Sequence, residues 1–442
     1  MTEFAVPEYG RVPIGPNGVT KAQAKALLAA ARAHPLTNAG GSNILYERNG
    51  HLQACQMVGV IAAPGCALEI LPKVDPEAPD EEAETVRSRL VDMLDVALDL
   101  KLGAGEVARI ARNAPSLLDI LIRIFADQLL TQVRRGLPRS YLLCEQDLPA
   151  LRGRLDIRRQ FTVHAVRPDR LACRYDVLSH DTPLLQLMKA CVVQLARYSR
   201  RASTRRLLDE LRILLADVSD VAPARVAKKI RLDRANGKWR SLLALARLLL
   251  GRDWQDTRSA REAPEGISLL FPMNELFEAY IAALAKRALL PWGIDVKAQA
   301  GSAFCLGDWS DENEGPRGRL FATRPDMMLC RNGRTLAIID TKWKAIGRDV
   351  ADRKRGVAQG DIYQMMAYAQ LYRADRLMLL YPHHPRLHIQ GLLAEHRIAV
   401  PGGAKLDIAT IDVSAGRRDC EVALRQLLGP LAKVAPSQAE VA

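Results

Sequence analysis

The sequence lacks the features that define several other classes of protein. Its eight cysteines include no CxxC pair, and none of its histidine pairs has the spacing of a zinc finger. Its longest apolar stretches, such as 242–250 with the interrupting Arg247, fall short of the roughly 18 residues that a membrane span requires. The first residues include acids where a signal peptide carries basic and then apolar residues. We therefore expect a cytoplasmic protein with free thiols and no membrane partner.

Motifs that bind nucleotides or modified bases are also missing. The chain has no GxxxxGKS or GxxxxGKT loop to cradle the phosphates of a nucleotide, and residues 15–21, GPNGVTK, have a similar composition with different spacing. Aromatic residues make up 5% of the chain and form no cluster typical of a cage for a methylated base. If the function requires a nucleotide or a modified base, another chain has to bind it.

What the chain has in excess is positive charge. Lysine and arginine together number 63 against 50 for aspartate and glutamate, which gives a formal net charge of +13. This balance favours a polyanion as partner, first DNA or RNA and second an anionic membrane surface, with a basic solvated surface as the alternative. The cluster ARYSRRASTRR is either the wet face of an amphipathic helix or a surface that follows a phosphate backbone. Its candidate nucleic-acid-binding residues are Arg200, Arg201, Arg205 and Arg206.

The 442 residues, 48% of them hydrophobic, have room for two or three domains, and local patterns predict a multidomain α/β fold. Residues 1–80 are predicted to be β-rich, with one helix that begins after a Thr20 cap. Residues 81–261 have the apolar spacing of helices, with a short β-like insertion at 151–176. Residues 262–434 are predicted to form an α/β domain that contains a β-hairpin.

The most informative stretch is RPDMMLCRNGRTLAIIDTKWKAI, at residues 324–346. Asn332-Gly333 predicts a type I′ hairpin turn, because this pair tolerates the positive φ angles of that turn. A two-residue loop would pair Asp326 with Ile339, whereas a three-residue loop or a bulge would place Asp326 opposite Asp340. In either register, the hairpin brings two carboxylates to the same end.

The second strand adds Lys342 to these carboxylates. Side chains two residues apart in a strand point to the same face, so Asp340 and Lys342 are predicted neighbours. Two oxygen ligands can hold Mg²⁺, or Mn²⁺ as the alternative, and the metal lowers the pKa of a bound water and neutralises charge on a phosphate. A nearby ammonium group can orient or help to deprotonate the attacking water and can stabilise the transition state. Such a cluster is typical of phosphodiester hydrolysis.

Two predicted helices bring further candidate residues to the hairpin. Glu278 borders the apolar stripe of a helix at 272–290, so it can point toward the hairpin or toward water. Gln364 and Tyr368 are four residues apart on a second helix and therefore share one face. That helix is predicted to begin at Asp361 as its N-cap, and an ordinary amphipathic helix is the alternative interpretation of its pattern.

These pieces together resemble the PD-(D/E)XK nuclease superfamily. Pro325-Asp326 corresponds to the PD element, Asp340-Thr341-Lys342 to the (D/E)xK element, and Gln364 with Tyr368 to the QxxxY element of the RecB-like branch. The resemblance implies that Asp326 and Asp340 hold the metal, with Glu278 as a further or indirect ligand. It implies that Lys342 orients the water or stabilises charge, and that Gln364 and Tyr368 orient the lysine or contact DNA.

Longer stretches are similar to the McrC family, the nuclease subunits of McrBC-type modification-dependent restriction systems. They are VGVIAAPGCALEILPKV (58–74), LRGRLDI (151–157), CRYDVLSHDTPLLQLMKA (173–190), FPMNELFEAYI (271–281) and the nuclease block at 323–372. This resemblance implies a metal-dependent DNA endonuclease driven by a GTP-hydrolysing AAA+ ring of the McrB type, which recognises modified cytosine and translocates DNA. It also implies that region 1–80 docks into that ring and stimulates GTP hydrolysis.

Two other functions stay open at this point. A stand-alone RecB-like DNA repair exonuclease would use the same cluster of acids and lysine, although it would not need the long segment that precedes them. A non-catalytic adaptor that activates a GTPase ring belongs to a different class, and it would not need the intact set of Asp326, Asp340 and Lys342.

Overall fold

The structure, a computed structural model, describes residues 2–32, 34, 44–63, 65–75, 81–102, 110, 116–167, 169–234, 236–250, 267–301, 303–308, 317–347, 354 and 356–432. The chain divides into two compact units. The first contains Met1–Arg32, Thr37–Asn113 and Leu270–Ala442, and the second contains Ala33–Leu36 and Ala114–Leu269. The beginning and the end of the chain therefore share one unit.

The helices, in chain order, are α1 (Lys21–Arg32), α2 (Ala83–Leu98), α3 (Leu117–Arg134), α4 (Ile157–Thr162), α5 (Pro183–Ala196), α6 (Ala202–Leu214), α7 (Pro223–Val226), α8 (Arg240–Leu249), α9 (Met273–Leu289), α10 (Gln359–Tyr372) and α11 (Arg417–Ala432). The strands are β1 (Thr2–Pro7), β2 (Arg11–Pro13), β3 (Leu45–Arg48), β4 (His51–Ala54), β5 (Met57–Ala63), β6 (Cys66–Leu71), β7 (Ser140–Leu148), β8 (Arg154–Leu155), β9 (Leu171–Ser179), β10 (Ile267–Pro272), β11 (Asp295–Ala298), β12 (Phe304–Asp308), β13 (Arg317–Ala322), β14 (Met327–Arg331), β15 (Arg334–Thr341), β16 (Arg376–Pro382), β17 (Gly391–Arg397) and β18 (Lys405–Ile411). Helices dominate from α2 to α8, and strands dominate on either side.

The start of the first unit is β-rich, as the sequence predicts. β6 pairs in parallel with β1 and antiparallel with β5, within a sheet of order β1-β6-β5-β10. A second sheet has the order β2-β4-β3, and α1 packs against β5. The start of α1 is a capping box. The Gln23 N–H donates to the Thr20 hydroxyl over 3.2 Å, and the Thr20 N–H donates to the Gln23 side chain over 2.9 Å. The predicted Thr20 cap is confirmed.

The second unit is helical, with a β insertion larger than the predicted 151–176. β7 pairs antiparallel with β9 along its whole length, and β8 joins the other edge of β9. The sequence analysis missed β7 because Tyr141, Leu142 and Leu143 are consecutive apolar residues, whereas alternation is the signal of a half-buried strand. Helices α3, α5, α6 and α8 pack against one another and supply the core of this unit.

The end of the first unit is built on a mixed sheet of order β11-β14-β15-β16-β18-β17. β15, β16 and β18 are parallel, while β14 and β17 run antiparallel to their neighbours. On one face of the sheet, Met365 and Tyr368 of α10 pack with Ile338 and Leu377. Helix α9 packs against α11, β11 and α2, which accounts for the place of α2 in this unit. The predicted α/β multidomain class is confirmed.

Among the helices that the structure describes, none is both long enough and apolar enough to cross a bilayer. All eight cysteines are free thiols.

Candidate active site

The hairpin predicted within 324–346 forms, with a loop of two residues, one of the alternatives that the sequence left open. β14 ends at Arg331 and β15 begins at Arg334, and these two residues pair with each other. Asn332 and Gly333 between them have φ angles of 51° and 80°. Positive φ at both central positions is what a type I′ turn requires.

A bulge in the hairpin decides which residue faces Asp326. The register shifts by one residue after Leu329, so that Met327 pairs with Ile339. One residue further along, the same register sets Asp326 opposite Asp340. Of the two registers allowed by the sequence, the structure therefore has the one in which the two carboxylates oppose each other.

Asp340 is fully buried near the end of β15. The ammonium of Lys342 lies 2.7 Å from its Oδ2 as an ion pair. Among the described residues, no backbone N–H or hydroxyl group donates a hydrogen bond to either Asp340 oxygen. Burial, and then the carboxylate of Asp326, raises the pKa of Asp340 to about 6 against the effect of the Lys342 charge and hydrogen bond. The Lys342 ammonium thus only partly offsets the cost of burying this carboxylate beside a second one.

Asp326 lies just before β14, and the neighbouring strand fixes its side chain. Its Oδ2 accepts hydrogen bonds from the Thr341 backbone N–H over 2.7 Å and from the Thr341 hydroxyl over 2.8 Å. Its backbone carbonyl accepts from the Gln299 N–H over 2.8 Å. Thr341, which lies between Asp340 and Lys342, thus sets the orientation of the Asp326 carboxylate. All three residues of the Asp-Thr-Lys motif therefore contribute to the site.

A chain of hydrogen bonds orients Lys342. Its ammonium donates to Gln364 Oε1 over 3.2 Å, and the Gln364 amide donates to the Tyr368 hydroxyl over 2.7 Å. The Tyr368 hydroxyl in turn donates to the Arg324 carbonyl over 3.3 Å. Burial raises the pKa of Tyr368 to about 12, so it keeps the proton that it donates. The predicted shared face of Gln364 and Tyr368 therefore lies next to the hairpin.

The charge state of Lys342 follows from its neighbours. Burial acts to lower its pKa, but the charges of Asp340, Asp326 and Asp361 outweigh burial, and the pKa is raised above its ordinary value. Lys342 is therefore an ammonium ion at neutral pH as long as these carboxylates carry their full charge. In that state it can stabilise negative charge.

Glu278 of α9 shares the electrostatic environment of the two aspartates. Burial, and then the carboxylate of Asp326, raises the pKa of Glu278 to about 7, and the charge of Asp340 adds to this effect. A hydrogen bond to the side chain of Gln299 acts in the opposite direction. The sequence analysis missed Gln299 because it belongs to no motif. It reaches the site through the pairing of β11 with β14, which a linear pattern does not reveal.

The two aspartates suit a hard divalent cation of the Mg²⁺ type. Mg²⁺ commonly takes one or two carboxylates and completes its octahedron with water and substrate phosphate. Asp326 and Asp340 supply that number, and no backbone N–H or hydroxyl group of the described residues competes for the oxygens of Asp340. Within the described part of the chain, no group of three or more His, Cys, Asp or Glu side chains is placed to hold a metal. Glu278 thus lies in the electrostatic field of Asp326 and Asp340, but the three carboxylates are not placed to bind one metal ion together.

The predicted nucleic-acid-binding arginines lie in the second unit, around the start of α6. Arg201 is the N-cap residue and Arg205 and Arg206 follow within the helix, and all three are exposed. The backbone N–H of Arg200 donates to the buried carboxylate of Asp119 over 3.3 Å. Arg200 therefore anchors the loop before α6, and a role of the four arginines in DNA binding stays a prediction.

The predicted N-cap of α10 is wrong. The helix begins at Gln359 with Ala358 as its cap, and Asp361 lies in the first turn, where the helix dipole favours an acid. Its carboxylate is 2.5 Å from the ammonium of Lys344. Asp361 does not cap the helix because that lysine, rather than a backbone N–H of α10, is its partner.

Trp343 and Glu8 are further residues that the sequence analysis did not connect. The Trp343 indole N–H donates to Glu8 Oε2 over 2.9 Å, and Glu8 is 5% exposed. Trp343 also packs against Phe277, with the ring centroids 5.4 Å apart. The segment after the Asp-Thr-Lys motif is thus attached both to α9 and to the end of β1, a link between residues 335 positions apart.

Comparisons with known proteins agree with these motifs. Two similar solved structures come from Thermococcus gammatolerans. One is a refined half-complex from a tetradecameric assembly of McrB AAA+ hexamers with bound McrC, with a TM-score of 0.70 and 19% identity over 97% of this chain and 100% of that chain. The other is a cryo-EM structure of the McrBC complex, with a TM-score of 0.52 and 22% identity over 65% of this chain and 88% of that chain. No curated protein matches.

The family assignment rests on a longer match. Residues 52–382 match the family described as "McrBC 5-methylcytosine restriction system component". That range is well over half of the chain, and it contains β5 and β6 of the first unit and the hairpin with its two aspartates. The resemblance inferred from the motifs is confirmed, and the chain belongs to the McrBC family of restriction system components.

Proposed function

We propose that this chain is a Mg²⁺-dependent endodeoxyribonuclease, the cutting subunit of a modification-dependent restriction complex. The observation that carries the proposal is the buried Asp340 carboxylate. It opposes Asp326 across the hairpin and contacts Lys342, so that two carboxylates meet beside a single ammonium group. Two like charges this close, one of them fully buried, favour the binding of a further cation. Mn²⁺ is the alternative metal, since two carboxylates bind either ion.

Each polar side chain of the site has a task in this proposal. Asp326 and Asp340 hold the Mg²⁺, which supplies a water of lowered pKa and neutralises charge on the phosphate. The Lys342 ammonium orients or helps to deprotonate the attacking water, or stabilises the negative charge that develops on the phosphate. Gln364 and Tyr368 keep that ammonium in position. Glu278 remains a candidate for a further or indirect ligand.

The proposed partners are DNA and a GTP-hydrolysing AAA+ ring of the McrB type. In the Thermococcus gammatolerans assembly of similar fold, McrC is bound to McrB AAA+ hexamers. This sequence has no GxxxxGKS or GxxxxGKT loop. GTP hydrolysis and the recognition of modified cytosine would therefore belong to the ring, and phosphodiester cleavage would belong to this chain.

Exposed apolar side chains favour the second unit over region 1–80 as the docking surface for that ring. The β insertion exposes a group of large apolar side chains around α4: Ile157 66%, Phe161 73%, Val163 62% and Val166 88%. In the described part of region 1–80, Tyr9, at 52%, is the large apolar residue with comparable exposure. Since exposed apolar clusters mark interaction surfaces, we propose that the insertion contacts the ring.

Replacing Phe161 and Val166 together by aspartate is expected to weaken ring binding by about a hundredfold. Two charges would then replace apolar area at the centre of the proposed contact. Titration of the chain against a fixed amount of ring, with stimulated GTP hydrolysis as the signal, measures the affinity. Tyr9→Asp is the matched control and is expected to leave the titration unchanged. A loss confined to Tyr9→Asp would return the docking surface to region 1–80.

The experiment that tests the proposed function is plasmid cleavage with Mg²⁺. Methylated and unmethylated DNA are compared, with the chain alone and with the chain plus the ring and GTP. Cutting of methylated DNA in the full mixture alone is the expected result. Cutting by the chain alone, indifferent to methylation and GTP, would support the stand-alone RecB-like exonuclease. GTP stimulation without cutting would support the non-catalytic adaptor.

A further inference from the structure

The chain after Lys342 folds back in a way that leaves a second lysine beside the site. The Lys342 N–H donates to the Leu380 carbonyl over 3.0 Å and so continues the pairing of β15 with β16. The Lys344 N–H then donates to the Lys342 carbonyl over 3.0 Å, which closes a tight turn around Trp343. Because Trp343 is buried and held by Glu8, the two lysines flank a fixed point of the fold.

Lys344 is paired with an acid of its own. Its ammonium lies 2.5 Å from Asp361 Oδ2 in the first turn of α10, and the Tyr381 hydroxyl donates to the same oxygen over 3.4 Å. The Lys344 ammonium is also 5.8 Å from the centroid of the Tyr381 ring. The side chain of Lys344 is 37% exposed, while that of Asp361 is 15% exposed. The lysine is thus the member of the pair that solvent, or a ligand, reaches more easily.

This second pair lies within the electrostatic field of the first. The Lys342 ammonium donates to Gln364 of α10 over 3.2 Å, and the Lys344 ammonium lies 2.5 Å from Asp361, about one turn earlier on the same helix. The two acid–lysine pairs, Asp340 with Lys342 and Asp361 with Lys344, therefore form one polar cluster between the end of β15 and the start of α10.

Stability alone does not account for the Lys344–Asp361 pair. Ion pairs with a partly exposed lysine add little to the stability of a fold, and Asp361 is already favoured by the helix dipole without a partner. A DNA strand, in contrast, carries one phosphate for about every 3.4 Å of helix axis, so a site that faces one phosphate also faces its neighbours. An ammonium on a flexible four-carbon stem can move from one anion to another.

We propose that Lys344 binds the phosphate adjacent to the one that is cut, and that Asp361 holds its ammonium in place until DNA arrives. This inference rests on the proposed nuclease function and adds a substrate-binding residue to it. The exchange is a competition between two anions for one cation. It follows that removing the lysine and removing the aspartate must change DNA affinity in opposite directions.

The test uses Lys344→Gln and Asp361→Asn in the full chain, with Lys344→Arg as the matched control. Binding of a short fluorescent duplex is measured over a series of salt concentrations with Ca²⁺ in place of Mg²⁺, and cleavage by the chain with its ring gives kcat and KM. Lys344→Gln is expected to weaken binding and raise KM by about fivefold to tenfold, and to reduce the salt slope by about one. Its kcat should stay within about twofold, since the residue holds a neighbouring phosphate. Lys344→Arg keeps the positive charge and should bind the duplex as the unmodified protein does.

Asp361→Asn gives the result that separates this proposal from a structural ion pair. Loss of the competing carboxylate is expected to tighten duplex binding by about twofold to fivefold. If both variants weaken binding, or if Lys344→Gln leaves the salt slope unchanged, the pair is structural and the proposal is overturned. Absence of cleavage by the unmodified complex would instead overturn the nuclease function. The binding series still decides the role of Lys344 in that case.

Discussion

Asp340→Asn is expected to abolish DNA cleavage while the protein stays folded and bound to its ring. The substitution removes a metal-binding carboxylate, and we expect the rate of cutting to fall on the order of 10³-fold or more. Burial and the neighbouring Asp326 make the ionised carboxylate unfavourable for folding, and the contact with Lys342 offsets this only in part. The amide should therefore be tolerated, and the free energy of unfolding should be unchanged or higher by about 1 kcal/mol. Plasmid cleavage, thermal unfolding and ring-stimulated GTP hydrolysis measure the three properties.

Asp407→Asn is the matched control for this prediction. Asp407 is buried in β18 of the same sheet and lies 3.5 Å from the ammonium of Lys405, so it too is an aspartate paired with a lysine two residues away. It pairs with Met378 of β16, away from the hairpin, and its loss should leave cutting intact. Lys342→Gln should lose cutting as Asp340→Asn does. Unfolding of the Asp340 or Lys342 variant would identify a structural ion pair in place of a catalytic one.

The hairpin shows how far a local pattern determines a site. Asn332-Gly333 fixed the position and type of the turn, and the alternation of side chains put Asp340 and Lys342 on one face. The sequence left two registers open because a bulge has no sequence signature of its own here. Only the paired strands show that the shift after Leu329 brings Asp326 opposite Asp340. The turn and the shared face of Asp340 and Lys342 were therefore predicted from the sequence, and the register of the two strands was not.

The residues that the sequence analysis missed reach the site through tertiary contacts. Gln299 arrives by the pairing of β11 with β14, and Glu8 arrives from the end of β1. Asp361 was wrongly predicted as the N-cap of α10 for the same reason. An acid near the start of a helix is a plausible cap, and the local sequence does not show that a lysine from another element pairs with it. A sequence motif detects side chains that lie on the same helix or strand. Contacts between elements distant in sequence leave no periodicity to detect.

The second large expected effect is on the pH dependence of stability, to which the buried Glu8 contributes. Burial raises the pKa of Glu8 to about 7, while bonds from the Trp343 indole and from the Lys73 backbone N–H act in the opposite direction. The folded protein therefore binds a proton more tightly than the unfolded chain, in which the pKa is near its ordinary value of 4.5. The contribution of Glu8 to stability is fully present below that value, and it is lost as the pH rises through about 7. Over this window the loss amounts to about 3 kcal/mol.

Glu8→Gln is expected to remove this share of the pH dependence. The free energy of unfolding is measured by urea titration at about pH 5 and about pH 8. The difference between the two values should be smaller by about 2.5 kcal/mol in Glu8→Gln than in the unmodified protein. Glu278 and Asp340 also have raised pKa values, so they contribute a dependence of the same sign that the substitution leaves in place. Glu47→Gln, at an exposed position of β3, controls for the change from acid to amide.

Cleavage separates this role of Glu8 from a catalytic one. A glutamine at position 8 still offers a carbonyl oxygen to the Trp343 indole N–H, so the turn between Lys342 and Lys344 should keep its place and cutting should persist. Glu8→Leu removes that acceptor and leaves the indole N–H without its partner, so both cutting and stability at neutral pH should fall. If Glu8→Gln leaves the pH dependence of unfolding unchanged, the carboxylate is ionised in the folded protein, and the indole N–H bond then outweighs its burial.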